Sequence, residues 1–142
     1  MVSVVVLAGA MNLTGCKSDP APSISKTDLI SKTWKLTALT ANGADTYVDL
    51  QPCEKDNLYS FTKSGNYTND EGATKCDSTD PQVVETLKWS FLQNETVLKF
   101  LYPDGSTVNF TITQLTTTTL KLTYTLNVNN VNITLVSTYT AV

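Results

Sequence analysis

From Thr33 onward apolar side chains recur at every second position, and a period of two sustained over most of a chain admits half-buried strands and little else. Trp34, Leu36 and Ala38 form one row, and Leu87, Trp89 and Phe91 another. Leu98, Phe100 and Tyr102 follow, then Val108, Phe110 and Ile112. The longest row is Leu120, Leu122, Tyr124, Leu126 and Val128, with Lys121, Thr123, Thr125 and Asn127 turned the other way. A last strand from about Val131 to Tyr139 carries Val131, Ile133, Leu135 and Ser137 on one side. The 24 threonines agree, because branching at Cβ favours extended chain over helix. Only residues 27–31 have the pattern of a short helix, with Thr27 or Asp28 as its N-cap.

The connections set the topology. Ser64-Gly65, Gln93-Asn94-Glu95, Pro103-Asp104-Gly105 and Asn129-Asn130 are short turn signals, so each joins antiparallel neighbours. The longest break, residues 74–85, shows no alternation and reads as a loop at one mouth. The expected fold class is therefore all-β: an antiparallel up-and-down meander of eight to nine strands with a short N-terminal helix. Such a meander buries its apolar face and its edges by closing into a barrel or folding into two layers.

Composition removes several functions. Every one of the 10 basic residues is Lys and there is no His, so imidazole acid–base chemistry, imidazole metal ligation and the guanidinium fork are all missing. A net charge of -3 opposes binding to nucleic acid. Ser60 and Lys63 have the spacing of a Ser–Lys nucleophile pair, but on a strand that spacing sends them to opposite faces. Asp70, Glu71, Asp77 and Asp80 gather without the register of a calcium loop, and a solvated loop is the default. The expectation is a non-enzyme with no cofactor and no metal site. The five Asn-x-Thr sequons, at Asn12, Asn66, Asn94, Asn109 and Asn132, carry little force where Asn and Thr are so frequent.

Residues 2–11 are apolar or small, too short a run to cross ~30 Å of hydrocarbon as a helix. They resemble the apolar core of a secretory signal, and Leu13-Thr14-Gly15-Cys16 resembles the bacterial lipobox. That resemblance implies cleavage before Cys16 and a lipidated Cys16, palmitate among its acyl chains, as the first mature residue. No Lys or Arg precedes the run, as a start placed too far downstream would leave it. Residues 17–26 are polar with two prolines, a tether. Acyl burial contributes ~0.8 kcal/mol per CH₂, so two or more chains hold such a domain at the membrane. The expected organisation is a signal peptide at 1–15, lipidated Cys and tether at 16–26, and a folded domain at 27–142. The expected location is the cell envelope, as an outer-membrane lipoprotein facing the periplasm or the surface.

With Cys16 carrying lipid, Cys53 and Cys76 remain as an even pair in an oxidising compartment. Strand pattern flanks Ser64-Gly65, and a hairpin centred on that dipeptide brings the two cysteines opposite each other. The competing reading is two unrelated buried thiols. Bulges near Pro52 are free to shift the ladder.

A short helix, Trp34 at the head of the first strand, and a meander over residues 26–142 together resemble the lipocalins. The nearer resemblance is to the small lipocalin-like lipoproteins of Bacteroidetes-type bacteria. Cys53-Glu54-Lys55-Asp56-Asn57, then Phe61, Gly65-Asn66-Tyr67, Glu71-Gly72 and Lys75-Cys76, carry most of it. Two departures stand out: ordinary lipocalins have Gly two residues before the Trp and a late Arg packed over it. Here Lys32 occupies the first position and there is no Arg, so the barrel base must close differently. The resemblance implies a lipocalin-like (calycin) barrel that binds a small hydrophobic ligand in its interior. Its candidate lining is Trp34, Tyr59, Phe61, Trp89, Phe91, Phe100 and Phe110, with Tyr67, Tyr124 and Tyr139 as polar tips or rim. So many rings equally suit a packed core, which leaves a non-catalytic module recognising a protein or glycan at the cell surface as the alternative. The expected partners are the membrane, through the lipid, and a small apolar molecule.

Overall fold

The computed structural model describes residues 23–142. The expected signal peptide, the expected lipidation at Cys16 and most of the expected tether fall outside the described residues. Along the chain come α1 (Lys26–Ile30), β1 (Thr33–Ala41), β2 (Ala44–Asp45), a 3₁₀ turn at Tyr47–Asp49 and α2 (Pro52–Lys55). Then follow β3 (Leu58–Phe61), β4 (Asn66–Asp70), β5 (Val83–Leu92), β6 (Val97–Leu101), β7 (Thr107–Leu115), β8 (Thr119–Val128) and β9 (Val131–Ala141). All neighbours are antiparallel. The last strand returns to the first, from Trp34 opposite Ala141 to Ala41 opposite Leu135, and closes an eight-stranded barrel. The two-residue strand β2 is an extra, paired to the far end of β1.

Several local expectations are corrected. The N-cap is Ser25, whose Oγ accepts from the Asp28 amide at 3.0 Å, so α1 begins before Thr27. The ladder between β1 and β9 shifts between Leu36 and Ala38; beyond this bulge Leu39, opposite Ser137, takes the row that strict alternation gives to Ala38. The long loop ends earlier than alternation suggests, because β5 starts at Val83. The Ser64-Gly65 hairpin is also wider by one residue: Phe61 faces Tyr67, and Gly65 takes φ +81° at the end of a three-residue loop.

That wider loop moves the two cysteines off a common rung, yet they are bonded, with Cα atoms 5.2 Å apart. They meet because α2 turns the chain back over the loop after β4. Asp56 Oδ2 accepts from both the amide and the hydroxyl of Thr74, at 2.9 and 2.8 Å. The side-chain nitrogen of Asn57 donates to the backbone carbonyls of Cys53 and Glu71. Buried Glu71 accepts from the Cys76 amide at 3.3 Å. The stretch that carried the lipocalin resemblance thus clamps α2 to the loop following β4. Gly72 is part of this clamp: a Cβ there would meet the Asp56 carbonyl oxygen at 2.2 Å, and φ is +70°. Gly72→Ala is expected to destabilise by more than about 1 kcal/mol, read from urea unfolding.

Candidate functional site

Because strand neighbours share a face, the register assigns the barrel interior. The inner rows include Tyr59 and Phe61 on β3, Tyr67 and Asn69 on β4, and Glu85, Leu87, Trp89 and Phe91 on β5. Leu98, Phe100 and Tyr102 continue the face through β6 and its turn, and Val108 and Phe110 carry it onto β7. Tyr139 faces both Leu120 and Leu36 across the closure.

The interior has a closed end and an open end. At the closed end α1 packs Ile30 onto Trp34, both fully buried, and the Trp34 indole N–H donates to the Ile30 carbonyl at 2.9 Å. Lys32 Nζ lies 5.5 Å from the Trp34 ring centroid and donates to the Thr117 carbonyl at 2.8 Å. The residue that departs from the lipocalin pattern therefore supplies the cation over the tryptophan that the absent Arg would otherwise provide. From this base a chain of rings climbs the interior: Phe91, Trp89, Phe61, Tyr67, Phe100, Phe110, Tyr124. Successive centroids are 4.7–5.8 Å apart, at tilted or edge-on angles.

The rings fill most of the space. A cavity of about 70 Å³ remains, walled by Tyr59, Phe61, Tyr67, Phe100, Phe110, Leu120, Leu122 and Tyr139. A second hollow of about 70 Å³ lies toward the mouth, walled by Glu85, Leu87 and Tyr102 and by the shared rings Tyr67, Phe100 and Phe110. Together they approach the roughly 150 Å³ of an apolar cavity that takes up benzene, and fall well below the several hundred Å³ of a drug-sized site. Of the candidate lining, Tyr59, Phe61, Phe100 and Phe110 border the inner cavity. Trp34, Trp89 and Phe91 face inward but border neither hollow; Trp34 and Trp89 are buried in the packed part of the core.

Strict alternation could have found the rest. Glu85 sits two residues before Leu87 on the apolar row of β5, and Asn69 two residues after Tyr67 on β4. Glu85 has no hydrogen-bond or ion-pair partner among the described residues, and partial burial pushes its carboxyl above the usual range. The Asn69 side-chain oxygen is buried without a partner. The acidic group at the hairpin end is consumed locally: Asp70 Oδ1 accepts from Gly72 and Gln82, and Asp77 Oδ1 from Thr79. Among the described residues no three Cys, Asp or Glu side chains gather as metal ligands.

Burial also acts on the phenols. It pushes Tyr59 up to about 12, helped by Tyr139, and raises Tyr67 and Tyr139 as well. Above pH 10 the folded barrel keeps protons that the unfolded chain releases, so stability is full below about pH 10 and falls as pH rises toward 12. Absorbance at 295 nm is expected to show these three of the six tyrosines ionising only with unfolding, followed by near-ultraviolet circular dichroism.

Compared with known proteins, the sequence matches the family described as the lipocalin-like domain over residues 30–122. That stretch runs from the end of α1 into β8 and contains the clamp, the ring ladder as far as Phe110, and Glu85. A search of the curated proteins finds no match. The closed eight-stranded barrel and the matched stretch, which is more than half of the chain, place it in the lipocalin-like domain family.

Proposed function

We propose that this protein is a lipid-anchored binding protein of the bacterial cell envelope whose barrel takes up a small, largely apolar molecule of about one ring's size. Lipocalin-like barrels fit ligand binding, and such domains are typically binding modules rather than enzymes. The observation that carries the reading is the pair of adjoining hollows walled in common by Tyr67, Phe100 and Phe110. Their size argues against lipids, haem and sterols as occupants in this conformation. Export is supported by the Cys53–Cys76 bridge, which suits an oxidising compartment and leaves Cys16 as the remaining cysteine for acylation.

Two measurements test it. Native mass spectrometry should show bound indole or phenol and no retained phospholipid, haem or sterol; a stoichiometric long-chain lipid would overturn the size limit. Metabolic labelling with an alkynyl fatty acid should mark the protein and fail to mark Cys16→Ala; an unlabelled parent removes the anchor.

A second reading has its own observation. β6 pairs with β5 only from Leu92 back to Lys88, leaving Val83–Leu87 unpaired on that side. A larger hollow of about 400 Å³ opens there on Asn66, Thr86, Leu87, Lys88, Leu101, Tyr102 and Pro103. A protein or glycan partner seated on this flank makes the domain an interaction module, and substitutions at Lys88 and Leu101 would then weaken that association while leaving ring binding intact.

A further inference from the structure

We infer that the site in the barrel selects amine-bearing ligands, with the ammonium received at the mouth by Glu85, beside Asn69, and the apolar body held among Tyr67, Phe100 and Phe110. The inference rests on the ligand-binding reading and adds the chemical class.

Charge placement carries it. Lys35, Lys88, Lys99 and Lys121 alternate with the inward residues of their strands and face outward, so Glu85 is the charged side chain on the inner rows of the described barrel. It walls the outer hollow, where Tyr67, Phe100 and Phe110 continue into the inner cavity. Directly across the ladder stands Asn69, with its unpartnered buried oxygen. Glu85, partly buried, and the buried Asn69 oxygen beside it, which borders neither hollow, have no donor among the described residues, and an ammonium in the outer hollow supplies one to Glu85. The Tyr102 phenol beside it is raised chiefly by burial, and next by the negative field of Glu85, with Tyr124 and Asp104 adding to it. A hard metal ion is the poorer fit, because one carboxylate and one amide fall short of six oxygen ligands.

Three compounds sharing a phenyl ring separate the possibilities: 2-phenylethylamine, 2-phenylethanol and 3-phenylpropionate. They are titrated calorimetrically into the full-length, disulfide-oxidised protein and into Glu85→Gln and Asn69→Leu. The amine is expected to bind about tenfold more tightly than the alcohol, as a charge-assisted hydrogen bond implies, and the carboxylate most weakly. Glu85→Gln should bring the amine down to the alcohol's affinity and leave the alcohol unchanged; Asn69→Leu should lower the amine's advantage partway. The melting temperature of ligand-free Glu85→Gln should rise, since an unpaired, partly buried carboxylate has been removed, which separates lost selectivity from lost folding. Alcohol binding with no advantage for the amine, or an advantage that survives Glu85→Gln, overturns the amine selectivity alone. Failure of all three compounds to bind overturns the binding reading together with this inference.

Discussion

Replacing Trp34 with alanine is expected to remove about 3–5 kcal/mol of stability, the largest single-residue effect in the molecule. Trp34 is fully buried, anchors α1 through its indole N–H on the Ile30 carbonyl, and lies under Lys32. Alanine there leaves a ring-sized void at the closed end and removes one of the two donors to the Ile30 carbonyl, the Lys32 amide remaining. Against a typical total of about 5–15 kcal/mol, such a loss brings the barrel close to unfolding at ordinary temperature. Trp34→Phe keeps most of the buried area and loses the hydrogen bond, so about 1–2 kcal/mol is expected. Urea midpoints at constant slope measure both. A cost under about 1 kcal/mol for alanine would mean that the base is not held by this residue.

Removal of the Cys53–Cys76 bridge ranks next. With its ends 23 positions apart in sequence, the chain-entropy relation gives about 3 kcal/mol. The double variant Cys53→Ala/Cys76→Ala is expected to unfold at correspondingly lower urea. The loss has a local side as well, because Asp56 and Asn57 bind the same loop back to α2 and Glu71 braces it internally. Limited proteolysis should therefore cut first between β4 and β5, while the strands β6 to β9 resist. Uniform cleavage along the chain would show that the clamp and the barrel are one cooperative unit.

The sequence made the barrel legible because period-two alternation and tight turns are local signals. Asn129 and Asn130, both at positive φ, form the two-residue turn that their identity suggests. What failed to show were one-residue shifts. The bulge between Leu36 and Ala38 exchanges Ala38 for Leu39 on the inner row, and the Gly65 loop moves the hairpin register by one. Each arises from backbone geometry that side-chain alternation does not encode. The disulfide was anticipated correctly from a register the hairpin does not adopt; the α2 turn, rather than the ladder, brings the cysteines together.

The candidate site divides along the same line. The ring-bearing residues were legible by their size and spacing, and four of the seven border the cavity. Whether rings pack against one another or leave space depends on their mutual tilt, which no sequence period carries. Glu85 and Asn69 were passed over because a polar residue on an apolar row looks like an interruption of a strand. Both instead lie on inward rows, opposite each other near the mouth. Lys32 is the converse case: its departure from the lipocalin pattern was visible, and its placement over Trp34 was not.

The proposed function requires that the barrel interior, although largely filled, admit a ring-sized guest between Tyr67, Phe100 and Phe110. Its most direct measurement is a titration of the full-length, disulfide-oxidised protein with toluene, followed by ¹H–¹³C spectra of the aromatic side chains. Saturable shifts are expected in those three rings, with Trp34 at the packed base unmoved. Rings that stay unperturbed up to the solubility limit, or shifts confined to Leu101, Pro103 and the outer flank, would contradict it.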